Sequence, residues 1–300
     1  MFFIFMSFTR NSIFLIVIIM ISASLTSCND NNKKPEVDTE LFAIEDLAKV
    51  IENGFNTYQT DSIKSNFSPV LFSWRLGNDF KKRNTAAQRQ GLYSAFNSIY
   101  KKTIDSYAEG FELMDLEILL FDIHKKDNVY RLNYYVTDQD ESVVNYLIFY
   151  VDKDRNGDYQ VVNFYNVSTG FTYSDTIKEF IESSDYGNNP SDMMALEIAA
   201  NKRAVAIYES SIGKHKEAYE KMKTIDYKYL NSSGFAHFKM IFASRVSASL
   251  YKEELEWMSA ITHNEVSKKY YECISLSLDS ENEAASEECV MDFEELLISS

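Results

Sequence analysis

Three hundred residues, 45% hydrophobic and 25% charged, describe a globular chain with enough material for a sizeable core and for two domains. Thirty Lys and Arg stand against 45 Asp and Glu, a net charge of -15 that excludes nucleic-acid binding as a first reading, because phosphate backbones and anionic lipid surfaces repel so acidic a chain. Only 9 Gly and 3 Pro argue against a turn-rich all-β fold and for long helices.

The chain opens on a segment with one charge, Arg10, then an unbroken apolar run from Ile13 to Ile21, then Ser22-Ala23-Ser24. This is the layout of a signal peptide. The run falls well short of the roughly 20 residues a spanning helix needs, which ranks a permanent transmembrane anchor behind a cleaved signal. A secretory signal followed by an incidental Cys is the other alternative. The next four residues, Leu25-Thr26-Ser27-Cys28, resemble the lipobox of bacterial lipoproteins. The resemblance implies cleavage before Cys28, a diacylglyceryl group on its thiol and an acyl chain, palmitate for example, on its new amine. Several chains anchor stably, since each buried CH₂ contributes about 0.8 kcal/mol and one chain alone is marginal. Residues 1–27 are thus read as a lipoprotein signal peptide and 28–39 as a polar tether. The expected location is the bacterial cell envelope, lipid-anchored and outer-membrane, periplasmic or surface-facing.

Two compositional zones follow. From Glu40 to Tyr58, apolar Ile44, Leu47, Ala48, Ile51, Phe55 and Tyr58 recur at helical spacing. A second apolar segment, Ile63 to Leu76, is interrupted by Pro69, and a third helix is expected from about Ala86 to Ala108. The period then changes to two over Ile118–Lys125, Val129–Val136, Ser142–Val151 and Asp158–Val167, with short turns between them. That order predicts an α+β layer, helices packed on one face of a four-stranded antiparallel meander, over residues 40–186. After Asn188-Asn189-Pro190 helical periodicity returns in six segments, beginning near 192, 214, 235, 251, 264 and 282, with Ser191 as N-cap of the first. Residues 190–300 are read as an all-α domain of helical hairpins.

The closing segment of the first zone, Val161 to Thr176 with Gly170 and Ser174-Asp175-Thr176, together with the helix-helix-helix-meander order, resembles the NTF2-like or cystatin-like leader domain of tetratricopeptide-repeat lipoproteins. Gly213 and, five residues on, Ala218 fit the small-residue positions of their paired helices. The 34-residue echoes of those two positions fall on Ser247 and Lys252, so a regular repeat pitch is not carried.

Candidate chemistry is sparse. Asp152-Lys153-Asp154-Arg155-Asn156-Gly157 matches half of a calcium loop, but position twelve is Asn163 and both flanks are strands, so a hairpin turn is preferred to a weak calcium site. His124, His215, His237 and His263 show no metal-ligand spacing and are read as surface or satisfied residues, leaving no expected metal and no cofactor. Cys273 and Cys289 fall on consecutive helices around a turn at Asp279 to Asn282, capped by Ser280 and Glu283. They form either a disulfide or two buried thiols. A loop symmetric about Gln139 pairs Asn133 with Asn145 and sets Arg131, Leu147 and Phe149 on the same face, a candidate ligand pocket. The acidic runs around Asp138 and Glu281–Glu288 are read as solvated faces.

The expectation that follows is a lipid-anchored envelope protein, not an enzyme, that acts as a scaffold for a protein or peptide partner, with no nucleic acid bound and the membrane reached through the lipid on Cys28. The alternative is a small-ligand-binding lipoprotein that uses the cradle around Arg131, Asn133 and Asn145.

Overall fold

The structure, a computed structural model, describes residues 39–77, 80, 85–139, 143–178, 190–226, 233–279 and 282–299. The signal segment, Cys28 and the tether up to residue 38 lie outside the described residues, as do Ser280 of the expected cap and the domain junction at 187–189.

The fold is α+β: helices, then an antiparallel sheet, then a run of helices. In α1 (Thr39–Asn56) Ile44, Leu47, Ala48, Ile51 and Phe55 are all buried, whereas Tyr58 lies past the helix end, half-buried and at φ 57°. Pro69 splits the next segment into α2 (Asp61–Ser65) and α3 (Pro69–Arg75), standing first in the second, where its missing N–H leaves nothing unpaired. Thr85 and Gln88 form a reciprocal cap that starts α4 (Ala86–Met114), and Asp115 ends it in the left-handed region at φ 52°. Phe55 lies 5.3 Å from Phe111 of α4 and 6.2 Å from Phe149 of the sheet, and Phe67 stacks on Tyr100 at 4.0 Å. These rings carry the core between helices and sheet.

The strands β1 (Glu117–Lys126), β2 (Val129–Thr137), β3 (Val143–Lys153), β4 (Tyr159–Asn166) and β5 (Phe171–Thr172) lie side by side in that order. Asp127 and Asn128, both at positive φ, make the two-residue β1–β2 turn. The fifth strand extends the expected four: Gly170 at φ 76° turns the chain back so that Phe171 and Thr172 pair with Asn166 and Tyr165. Two residues are too few to display a period of two. Thr172 and Asp175 then cap the helix that covers 173–178, the Asp175 carboxylate accepting from Thr172 N–H at 3.1 Å and from its hydroxyl at 2.7 Å.

Among the described residues six helices follow: α5 (Pro190–Ser211), α6 (His215–Lys223), α7 (Ser233–Val246), α8 (Ala248–Ile261), α9 (Glu265–Ser277) and α10 (Glu283–Ser299), each packing on the next. Pro190 rather than Ser191 opens α5, so Ser191 lies inside the helix and does not cap it. Gly213 takes φ 81° in the α5–α6 turn, and Ala218 is fully buried among Ala206, Met222 and Phe235. Contacts divide the described chain into two compact units: residues up to Ser73 with 85–162 form the first, and Asn163 onward together with residues 74–77 and 80 form the second. In the second unit the end of β4 docks on α9. The Tyr165 and Ser267 hydroxyls are hydrogen-bonded, Ser267 Oγ donates to Val167 O at 2.9 Å, and Tyr271 Oη donates to Ser168 O at 3.3 Å. A Cβ on Gly170 would stand 2.7 Å from the Tyr271 hydroxyl, so only glycine fits this approach.

Candidate functional site

The three residues expected to share a pocket do not share a face. Tyr134 and Phe149 mark the face turned to the helices, since Tyr134 Oη donates to Ala48 O at 3.0 Å and Phe149 packs on Phe55. The observed register sets Tyr134 opposite Leu147 and Asn133 opposite Ile148, while Asn145 sits opposite Val136. Asn145, Leu147 and Phe149 therefore lie on the helix face, and Arg131 and Asn133 lie on the other. Pairing about Gln139 is thus corrected by three residues, and an odd slip exchanges the faces of every side chain. An irregularity between Val136 and Thr137 accompanies the longer connection.

A second irregularity builds the far face. β1 carries a bulge between Leu120 and Asp122, the extra residue being Phe121. Without it Asp122 and His124 would follow Ile118 and Leu120 onto the helix face. With it Asp122 stands opposite Asn133 and His124 opposite Arg131. Phe121 turns outward as well, stacking on Tyr135 at 4.1 Å.

The result is a compact polar cluster. The Asp122 carboxylate is 2.7 Å from His124 Nδ1 and accepts from Asn133 Nδ2 at 2.8 Å, so both donors converge on Oδ2. With the carboxylate as acceptor, Nδ1 carries the proton of that hydrogen bond. His124 Nε2 and Asn133 Oδ1 are both buried without a hydrogen-bond partner, and Asn133 is 0% exposed. Two such unsatisfied polar atoms suit a hydrogen-bonding ligand group. Arg131 is half-buried beside them, with its guanidinium 5.5 Å from the centre of the Tyr150 ring. Of the expected pocket, Arg131 and Asn133 are together and Asn145 is apart. Asp122, on which the sequence reading is silent, and His124, which it takes for a surface or satisfied residue, complete it. Their i, i+2 spacing on a strand was the available signal.

The Asp152–Gly157 segment is the turn between β3 and β4. Asp154 Oδ1 accepts from the N–H groups of Asn156 at 2.8 Å and Asp158 at 3.0 Å, and Gly157 takes φ 93°. That carboxylate is engaged by its own turn. Near it, an open groove of about 610 Å³ is lined by Glu40, Asp46, Asn66, Lys153, Asp158 and Tyr159. The hydrogen bond from Lys125, at 2.8 Å, holds the half-buried Glu40 carboxyl down at about 2, with help from Tyr159.

In the helical unit Cys273 of α9 and Cys289 of α10 are joined as a disulfide, with Cα atoms 5.4 Å apart. Glu254 of α8 is buried, yet its carboxylate lies 2.8 Å from Lys239 Nζ of α7 and accepts from Tyr219 Oη of α6 at 2.7 Å. Lys239 also lies 4.2 Å over the Trp257 ring. Burial pushes the Tyr219 hydroxyl pKa up, and Glu254 adds to this. The unit's most exposed apolar surface runs along α5, where Met194, Ile198, Val205 and Tyr208, with Ile212 just beyond, are open to solvent. Among the described residues no helix is long and apolar enough to cross a membrane.

No family model matches the chain, and no curated protein matches it. Among solved structures it is similar to a phospholipid-binding protein from Ralstonia solanacearum, determined in complex with a phospholipid. The two are 17% identical, with a TM-score of 0.36, over 52% of this chain and 90% of that one.

Proposed function

We propose that this chain is a lipid-anchored envelope protein that works by binding a protein or peptide partner, with a helical region of the tetratricopeptide type as its scaffold. The observation that carries the reading is the apolar stripe on α5. Met194 and Tyr208 are each 64% exposed on a helix whose opposite side, Ala199, Ala206 and Ser210, is buried. A helix apolar on two sides has a second surface to cover. The Cys273–Cys289 disulfide supports an envelope location, because such bonds persist in oxidising compartments. Leu25-Thr26-Ser27-Cys28 supports the anchor.

The test is photo-cross-linking from Val205 in the full chain, in its native envelope. A discrete adduct is expected, abolished by Ile198→Asp and absent when the probe is moved to exposed Lys216. No adduct from Val205 would overturn the reading.

A second reading, small-ligand binding at the far sheet face, is favoured by the unpartnered Asn133 Oδ1 and His124 Nε2. Native mass spectrometry checks it: a small molecule retained by the full chain and lost on Asn133→Leu supports it, and an unliganded mass for both contradicts it.

A further inference from the structure

The stripe on α5 has a regular spacing. Met194, Ile198, Asn201, Val205 and Tyr208, with Ile212 in the turn just past the helix end, follow one another at alternating steps of four and three, a heptad seam along α5. The three positions that correspond to a are Ile198, Val205 and Ile212, all β-branched, the preference of parallel two-stranded coils. The d positions are Met194, Asn201 and Tyr208. All six are exposed, on the side away from buried Ala199, Ala206 and Ser210.

We propose that α5 pairs with α5 of a second copy of this chain as a short parallel coiled coil along this seam, which rests on the reading of α5 as the interaction face. The charge pattern flanking the seam selects the occupant. Glu197 at g stands five residues before Lys202 at e, the separation at which g of one strand meets e of the other; within one chain the Lys202 ammonium donates to Thr224 O at 2.6 Å, and pairing exchanges that bond for the partner's carboxylate. Two-fold symmetry makes this contact twice, so the surface is complementary to itself. An antiparallel pair centred on residue 203 would set Lys202 against Lys202 and oppose Asn201 to Val205. The parallel pair sets Asn201 against Asn201, where two amides hydrogen-bond across the seam. A seam of this length lies below about 1,200 Å² in total, so the dimer is reversible, with a dissociation constant in the micromolar range, on the order of 10 μM.

The experiment uses the full chain in detergent. Sedimentation at about 1 to 100 μM is expected to show a monomer–dimer equilibrium, weakened at least about tenfold by Glu197→Lys and restored by Glu197→Lys/Lys202→Glu, with unchanged circular dichroism. Met194→Cys reports orientation. In the parallel pair the two positions meet and a short bismaleimide links them, whereas in an antiparallel pair they lie about 27 Å apart along the axis. A monomer at about 100 μM, or a dimer that Met194→Cys does not link, overturns the proposal. If the chain is monomeric yet the Val205 probe still forms its Ile198→Asp-sensitive adduct, the occupant is another protein and the interaction reading stands. If both results are negative, both fall.

Discussion

Asn56, the last residue of α1, holds Ile118 of β1 at both of its main-chain groups. Its Oδ1 accepts from Ile118 N–H at 2.8 Å, and its Nδ2 donates to Ile118 O at 2.9 Å. One turn earlier, Glu52 Oε2 accepts from Leu120 N–H at 2.8 Å. β1 is the first strand of the sheet, so these side chains occupy hydrogen-bonding groups that an open edge would offer to another chain. Asn56→Ala is expected to lower unfolding free energy by about 1–3 kcal/mol. It should also raise aggregation of the full chain, measured by denaturant titration and light scattering. A change within error in both would show that the edge needs no cover.

The buried carboxylate of Glu254 depends on Lys239, whose side chain is only 12% exposed. Lys239→Met leaves that charge without its ion pair and is expected to cost about 3–5 kcal/mol. Adding Glu254→Met should recover most of the loss, because an apolar pair of similar volume removes the buried charge altogether. Thermal melts of the single and double variants decide it, and a double variant no better than the single one would contradict the account.

His237 lies on α7, and burial pulls its pKa down to about 4, partly offset by a hydrogen bond with the Ser168 main chain. The unfolded chain takes up this proton near pH 6.5 and the folded chain does not, so stability is full above pH 6.5 and falls as the pH drops toward about 4. The loss attributable to this group is on the order of 2–3 kcal/mol. His237→Gln should flatten the difference between pH 7 and pH 4.5 in denaturant titrations, and parallel curves for wild type and variant would remove His237 as its source.

Element order was legible in the sequence because Pro69, the change of period near Ile118 and the return to helix at Pro190 are local signals. The cluster on the sheet was not. Its geometry depends on the extra residue Phe121 and on a three-residue slip across the β2–β3 connection, and each reverses which face a side chain takes without altering the period of two. The Tyr219–Lys239–Glu254 group was hidden for a different reason: three helices contribute one residue each, and no spacing along the chain records their meeting. The seam on α5 was read as part of an amphipathic pattern, and only the burial of the opposite side shows it to be surplus.

The Cys273–Cys289 bond spans 16 residues and joins α9 to α10. Closing a loop of that size contributes about 3 kcal/mol. Cys289→Ser should lower the melting temperature, and a reducing agent should lower the wild type to the same value while leaving the variant unchanged. Equal melting of oxidised and reduced wild type would deny the bond a stabilising role.

Lipid anchoring depends on Cys28. Intact-mass and tryptic mass spectrometry of the chain isolated from its native membrane measures this directly. The expected N-terminus is Cys28 bearing diacylglyceryl and amide-linked acyl groups. A chain that begins at an unmodified Met, or a cleaved chain with a free Cys28 thiol, would contradict lipid anchoring.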